Sequence, residues 1–404
     1  MRAHSWVTVA LTLGACAPKA ASSAPSTAPS PKQAAATLVP EAPAAELWTR
    51  HVVATRLVNP RGILRRADDS LIVAEAGVGD PQDLFTGRIT RLWDQNGDGD
   101  YDDTGERSAV VERQRSVDIL GRLAVNRDEV FGLADIEAAA GWELATVADP
   151  LEGSTLLRLE AQSANRWTTT ADNANSIAFH AGQNRWYAVQ SFQNTVIELD
   201  ATGEHRQVVR IPQLERGQDP VPAAIVYEPS RQALLVALFT GQLGGDTGGS
   251  GVDFVKRSGK VVRVDPQTGS LEPVVEGLNA PTDLALAGND TLFVLEFCRA
   301  FTDPVRTQAQ ATERARHAGF ERYSGRVLRV TLATGEVRVL ATKLDVPTHL
   351  RLLPDGKLLV TEGQGTPGRM IPGPNGAVPL EGRIVELTPP GGQSSPAATT
   401  GSKG

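Results

Sequence analysis

The chain has 404 residues, 41% hydrophobic and 22% charged, which places it among globular rather than disordered chains. Its 47 acidic against 40 basic side chains leave a formal net charge of −7, which argues against a nucleic-acid-binding surface, because backbone phosphates demand a basic patch. No apolar run approaches the roughly 18–20 residues of a membrane-spanning helix, and 39 Gly with 26 Pro point to many turns.

The N-terminus reads as a basic start, a short apolar stretch Trp6–Leu13, and then Leu13-Gly14-Ala15-Cys16. That order is a secretory signal with a small-residue cleavage site, too short to span a membrane. Residues 1–15 are therefore expected to be a lipoprotein signal peptide, with cleavage before Cys16 and lipid on its thiol. This places the protein on the bacterial cell envelope, extracytoplasmic, periplasmic or surface-exposed, with the membrane as a partner through its N-terminal anchor. Residues 16–45 are almost entirely Ala, Pro, Ser, Thr and Lys and read as a tether. The folded part is expected at 46–388, and 389–404 as a disordered tail. Cys298 is the only other cysteine, so a lipidated Cys16 leaves no intrachain disulfide. Cys298 is expected as a small buried hydrophobe.

Between these ends one unit recurs six times. A short apolar strand follows Asn-Pro or Val-Pro, and a turn leads to a second apolar strand often ending in an acid. After a variable loop comes Gly-(Arg/Lys)-apolar-x-(Arg/Glu)-apolar, then a fourth strand. The first copy has Asn59-Pro-Arg-Gly-Ile63, Ser70–Glu75 and Gly87–Leu92. The second is the least regular: Val130–Ala134, Leu144–Asp149 and Thr155–Leu159. The third has Asn175–Phe179, Trp186–Gln190 and Thr195–Leu199. The fourth has Val221-Pro222, Leu234–Leu238 and Gly259–Val264. The fifth has Ala280–Leu286, Thr291–Glu296 and Gly325–Val330, with a polar helix expected at 304–318. The sixth has Val346–Leu352, Lys357–Glu362 and Gly382–Leu387, and no fourth strand.

Four antiparallel strands repeated radially make a β-propeller blade. The predicted fold is all-β: a six-bladed β-propeller in which the N-terminal strand within Leu47–Ala54 supplies the missing outer strand of blade six and closes the ring. The alternative, a pair of β-sandwiches, needs no repeated order of motifs.

Two places carry candidate chemistry. In Asp94-Gln-Asn96-Gly-Asp98-Gly-Asp100-Tyr-Asp102-Asp103, oxygen ligands alternate around a turn glycine, as in the first half of a calcium loop. Asp94, Asn96, Asp98, Asp100 and Asp103 are the candidate ligands of a structural calcium. Position twelve is Gly105 rather than a bidentate Glu, so Asp102, Asp103 or Glu106 has to substitute; the alternative is a solvated acidic turn. The second place is the channel mouth where inner strands start and second strands end. Asn59, Asn175, Asp283 and His349 start strands there; Glu75, Asp149, Ser191, Glu296 and Glu362 end them. Glu75, Asp149, Asn175, Asp283, Glu296, His349 and Glu362 are the catalytic candidates, as a channel divalent-metal site or a general acid/base set. Against this stands the plainer reading: propeller channels are polar because water fills them, and acids ending strands satisfy turn N–H groups.

By these residues the chain resembles the ScyD/ScyE-type propellers named for the cyanobacterial scytonemin cluster, within the wider NHL-repeat and SMP-30/gluconolactonase-like six-bladed propellers. The match is carried by Asn59-Pro-Arg-Gly62 with Leu71–Gly77, Asn173-Ala-Asn175-Ser176, Val221-Pro222 with Ala237–Gly241, and Pro281-Thr-Asp283 with Leu292–Phe297, and covers about 57–340. It departs at Gln190-Ser-Phe-Gln-Asn194 and Val221-Pro-Ala223. The resemblance implies fold and export and carries over no catalytic residue. Lactonases of the wider group hold a channel metal with Glu, Asn and Asp; Glu75, Asn175 and Asp283 are such types here, without a matching surrounding motif.

The expectation is a monomeric, lipid-anchored binding or scaffold module with a small-molecule or protein ligand at the propeller mouth. The alternatives are a metal-dependent, lactonase-like hydrolase in the central channel and a quinone-cofactor sugar dehydrogenase. The sequence leaves open whether the protein is an enzyme.

Overall fold

Strand position along a radius can be read from composition. Second strands such as Leu71–Glu75 and Ala233–Leu238 are buried at every residue, because neighbouring blades cover both faces. Outer strands such as His205–Arg210 are polar and largely open to solvent. The computed structural model describes residue 39 and residues 47–118, 130–149, 152–160, 163–215, 217–240, 256–299, 316–317, 320–373 and 376–392. The expected signal peptide, Cys16, most of the tether and residues 393–404 lie outside the described residues.

Six four-stranded antiparallel sheets form the blades. Blade 1 is Pro60–Arg65, Leu71–Glu75, Gly87–Leu92 and Arg107–Gln114; blade 2 is Leu133–Ala139, Trp142–Val147, Ser154–Leu159 and Ala164–Thr170. Blade 3 is Ala174–His180, Arg185–Gln190, Thr195–Leu199 and His205–Arg210; blade 4 is Pro222–Glu228, Ala233–Leu238, Gly259–Val264 and Leu271–Leu278. Blade 5 is Pro281–Ala287, Thr291–Glu296, Gly325–Thr331 and Val337–Leu344. Blade 6 is His349–Leu352, Leu358–Glu362 and Gly382–Thr388, with Thr49–Leu57 as its outer strand. The closing strand runs antiparallel to Gly382–Thr388, from Thr49 opposite Thr388 to Leu57 opposite Gly382. The sixfold propeller and its N-terminal closure are thus as the repeats predict. In the blade 5 insertion, Arg316–His317 is extended and pairs with Phe320–Glu321, where a helix end was expected; residues 300–315 lie outside the described residues.

Among the described residues the hydrophobic core is divided into six larger clusters, one at each blade–blade interface, and two smaller ones. Leu64, Ile72 and Ile89 of blade 1 meet Leu133, Ile136 and Val147 of blade 2, and Val53, Ala54 and Leu57 of the closing strand meet Ile63 and Val73 of blade 1. Fully burying one such Leu, Ile or Val contributes about 1.5–3 kcal/mol. Val39, inside the expected tether, is 2% exposed and packs into the cluster between blades 4 and 5. Cys298 is buried among Phe297, Phe320 and Val346.

The repeated Gly and Pro have one explanation. The Gly that opens the third strand of one blade lies against the Pro that opens the next blade's inner strand. A Cβ on Gly259 would come 2.6 Å from Pro281 Cδ, and one on Gly325 2.5 Å from Pro347 Cδ. A side chain at either position would force adjacent blades apart.

Candidate functional site

The inner strands align by the apolar residue that follows each channel position: Ile63, Ile136, Ile177, Ile225, Leu284 and Leu350. The preceding residues, Gly62, Asp135, Ser176, Ala224, Asp283 and His349, therefore occupy equivalent places around the channel. Side chains at this level bind the next blade. Ile177 N–H donates to Asp135 Oδ2 at 2.9 Å, Ile225 N–H to Ser176 Oγ at 3.3 Å, and Leu350 N–H to Asp283 Oδ2 at 2.6 Å. Gly62 has no room for such a group, since a Cβ would sit 2.6 Å from Ile136 N.

Across this glycine the flanking blades interact. His349 Nδ1 lies 3.0 Å from Asp283 Oδ2 and 3.8 Å from Asp135 Oδ1, and all three residues are buried. Two residues further along the same strands, Arg351 binds Glu137 at 2.8 and 3.3 Å. Charge pairs from blades 2, 5 and 6 therefore occupy the channel. Burial opposes charge on His349, but Asp283 and Asp135 outweigh it and raise its pKa. Burial, reinforced by Asp283, raises the pKa of Asp135, which His349 partly offsets. His349 Nε2 is buried and has no hydrogen-bond partner. An imidazole held at Nδ1 by a carboxylate with its other nitrogen unpaired is suited to moving a proton or meeting a polar ligand.

Of the sequence candidates, only Asp283 and His349 are brought together here. Glu75, Glu296 and Glu362 share a different, repeated arrangement. Each is buried and accepts from a backbone N–H just before its inner strand: Val58 to Glu75 at 2.5 Å, Asn279 to Glu296 at 2.7 Å and Asp345 to Glu362 at 2.9 Å. Each also pairs with the Arg of its Gly-Arg motif. Arg88 reaches Glu75 at 2.7 Å, Arg326 binds Glu296, and Arg383 reaches Glu362 at 3.0 Å. Arg50 of the closing strand pairs with Glu362 as well. Burial pushes the Glu296 carboxyl up against the pull of Arg326; it does the same to Glu362 against Arg50 and Arg383. These acids join the start, turn and third strand of one blade. At the same place blade 2 has Val147, blade 3 has Gln190 and blade 4 has Leu238.

The remaining candidates lie apart. Asp149 pairs with Arg115 at 2.7 Å on the rim of blade 2. Asn175 donates to Ser191 Oγ at 2.6 Å, which in turn donates to the Pro222 carbonyl at 2.7 Å, while Asn175 Oδ1 has no partner. Glu75, Asn175 and Asp283, the types a lactonase-like metal site would use, each serve different neighbours. Asp135, Glu137 and Arg351 were not singled out from sequence. Aligning Gly132-Leu-Ala-Asp-Ile136 with Asn59-Pro-Arg-Gly-Ile63 would have found Asp135.

The acidic loop joins the third and fourth strands of blade 1. Asp94 accepts from Gly97 N–H at 2.6 Å and Gly99 N–H at 3.0 Å, Asn96 from Asp98 N–H at 2.9 Å, and Asp98 from Asp100 N–H at 3.1 Å. Asp103 Oδ2 accepts from Asn96 Nδ2 at 2.6 Å. Glu106 is buried and accepts from Gln95 N–H at 2.8 Å and Asp103 N–H at 3.1 Å. Asp102 faces the closing strand, accepting from Thr55 N–H at 3.0 Å and Thr55 Oγ1 at 2.7 Å, and pairs with Arg107. The loop thereby stitches blade 1 to blade 6. Among the described residues no group of three or more His, Cys, Asp or Glu side chains is arranged to hold a metal ion.

The chain is thus a six-bladed β-propeller with a charged, ion-paired channel, and solved propellers resemble it. A structural-genomics protein of unknown function from Bacteroides thetaiotaomicron matches with TM-score 0.51 at 9% identity, over 85% of this chain and 72% of its own. The PQQ-bound aldose sugar dehydrogenase of Streptomyces coelicolor matches with TM-score 0.50 at 15% identity, over 86% of this chain and 99% of its own. At these identities the likeness concerns the fold alone. No protein-family profile matches the chain, and no curated protein sequence matches it.

Proposed function

We propose that this protein is a binding or scaffold propeller of the bacterial envelope, anchored through lipid on Cys16, with its ligand at the channel mouth. In this reading it is a relative of the ScyD/ScyE-type propellers, on the motifs quoted above. The observation that supports a non-catalytic role is the engagement of Glu75, Glu296 and Glu362 by arginines and backbone N–H groups, which leaves none of these three carboxylates free for chemistry. The full chain in detergent should hydrolyse none of a lactone panel and reduce no dye with aldoses after addition of PQQ. Turnover abolished by Asp283→Asn in a folded protein would overturn the reading. Cys16→Ser should move the protein from the membrane fraction to the soluble one.

One observation favours the second reading, a hydrolase in the channel: the His349 imidazole, held by Asp283, has Nε2 unpaired. The same lactone panel decides between them.

Calcium belongs to the first reading as a structural ion in the acidic loop, supported by its alternating oxygen-bearing residues. Asp94, Asn96, Asp98 and Asp100 already accept from backbone N–H groups, and their oxygens keep lone pairs for a cation. Without a bidentate Glu at position twelve, binding should be weak, with a dissociation constant of about 10⁻⁴–10⁻³ M.

A further inference from the structure

The N-terminal segment meets the propeller at two places, on different faces. Inner and third strands start on the mouth face, where Gly382 of blade 6 lies against Pro60 of blade 1. The closing strand starts at Thr49, opposite Thr388 at the far end of the third strand of blade 6. The chain therefore enters blade 6 from the face away from the mouth. Trp48 comes just before: its N–H donates to the Leu340 carbonyl at 2.8 Å, and its ring packs edge-on against Phe293, with centroids 6.0 Å apart. A tether released at Leu47 would hang from that far face.

Val39 is docked elsewhere. It is 2% exposed in the seam between blades 4 and 5, and its carbonyl accepts from Arg257 Nη2 at 3.1 Å. The described residues that share a small cavity with it lie at mouth-side strand ends. Gly277 closes the outer strand of blade 4 and Asn279 leads into Pro281; Arg257 precedes Gly259, and Arg326 follows Gly325. Val39 therefore sits on the mouth face, and Thr49 at the other. Leu38 and Val39 are the only large apolar side chains between Cys16 and Ala45. The tether thus has one place at which it can bury much apolar surface, and Val39 uses it.

We propose that Val39 is a dock that makes the tether leave the propeller from the mouth face, so that the channel mouth is turned toward the membrane holding the anchor. The orientation rests on the lipid at Cys16 proposed above; the dock does not. About 23 residues lead from Cys16 to Val39. They reach about 25 Å as a flexible coil and about 70 Å fully extended. To present the far face to the bilayer, the tether would have to pass round the rim of the propeller and give up that reach.

Dock and anchor are tested apart, with labels at two exposed positions of blade 5. Glu321, in the insertion between its second and third strands, is on the mouth face; Asn289, in the turn between its first two strands, is on the far face. Cys298 is buried and stays unlabelled. In the full chain with Cys16→Ser, which needs no lipid, a spin label at Ala36→Cys is paired with one at Glu321→Cys or at Asn289→Cys. The distance should be shorter to the Glu321 position, and Val39→Asp should broaden both distances and remove the difference. Should that variant fail to fold, Val39→Gly reads the same contact. In the lipidated chain on phosphatidylcholine vesicles, energy transfer to an acceptor lipid should be more efficient from a dye at Glu321→Cys than at Asn289→Cys, and Val39→Asp should remove this difference too. Equal spin-label distances, or a shorter one to the Asn289 position, overturn the dock whatever the vesicles hold. A lipidated chain that stays off the vesicles overturns the anchor, and the orientation with it, even where the spin-label distances hold. Equal transfer from the two faces of a vesicle-bound chain overturns the orientation alone.

Discussion

In blade 1 the acid that ends the second strand, Glu75, is buried between Arg88 and the Val58 N–H. In blade 2 the matching residue is the apolar Val147, and the buried acid, Asp135, sits on the inner strand beside His349. The two blades share one hydrophobic interface yet use carboxylates oppositely. The regular blade uses its acid to hold itself together; the irregular one directs its acid into the channel. In a repeat protein the recurring polar residue marks the joint, and the residue that breaks the pattern marks what is particular to the molecule.

The sharpest test of that contrast replaces one acid of each kind. Glu362→Ala leaves Arg383 and the Asp345 N–H without their acceptor and frees the Arg50 contact of the closing strand. It should cost about 3–5 kcal/mol in urea unfolding. Asp135→Asn keeps the shape and removes a negative charge facing Asp283, so it should cost about 1 kcal/mol or less. The reverse order would break the comparison.

The pH dependence should follow the channel. A folded-state pKa raised above the ordinary His value of about 6.5 means that charged His349 stabilises the fold below that value, and that this contribution is lost as pH rises through the raised one. Asp135, Asp283, Arg351 and Glu137 are the charged groups around it. Unfolding free energy should therefore fall from pH 6 toward pH 8 and above. His349→Asn should flatten that slope; an unchanged slope would assign the pH dependence to other groups.

The smallest effects distinguish two aspartates of one loop. Asp102→Ala removes the acceptor for Thr55 and the partner of Arg107, and should cost about 1–3 kcal/mol. Asp98→Ala, on the exposed side of the loop, should change stability in EDTA by about 0.5 kcal/mol or less. Equal losses in thermal melts would place the loop's structural role in its tip.

These differences explain what the sequence could reveal. Gly259, Gly325 and Gly382 with their following Arg or Lys, and Pro60, Pro281 and Pro347, recur because neighbouring blades meet at these points, so fold and closure are legible. The channel set is not, because it depends on Gly62 lacking a side chain between Asp135 and His349, a contact between blades that are not neighbours. The second copy ends at Ala134 when read as a repeat, one residue short of Asp135. Glu75, Glu296 and Glu362 stood out as candidates because carboxylates at strand ends suggest chemistry. Only the register places Arg88, Arg326 and Arg383 beside them.

Ring closure also sets an order of events. Arg50 and Glu362, paired in the finished ring, lie 312 residues apart in sequence. Blades 1 to 5 are built from consecutive segments and can form in succession as the chain lengthens. Blade 6 must wait for Gly382–Thr388 to find Thr49–Leu57, a search across nearly the whole chain. Such distant pairing is slow. Until it happens, the other three strands of blade 6 present an unpaired edge, Gly382–Thr388, that another chain can capture. Ring closure is thus also the step exposed to edge-to-edge association, and the Arg50–Glu362 pair forms only when it succeeds.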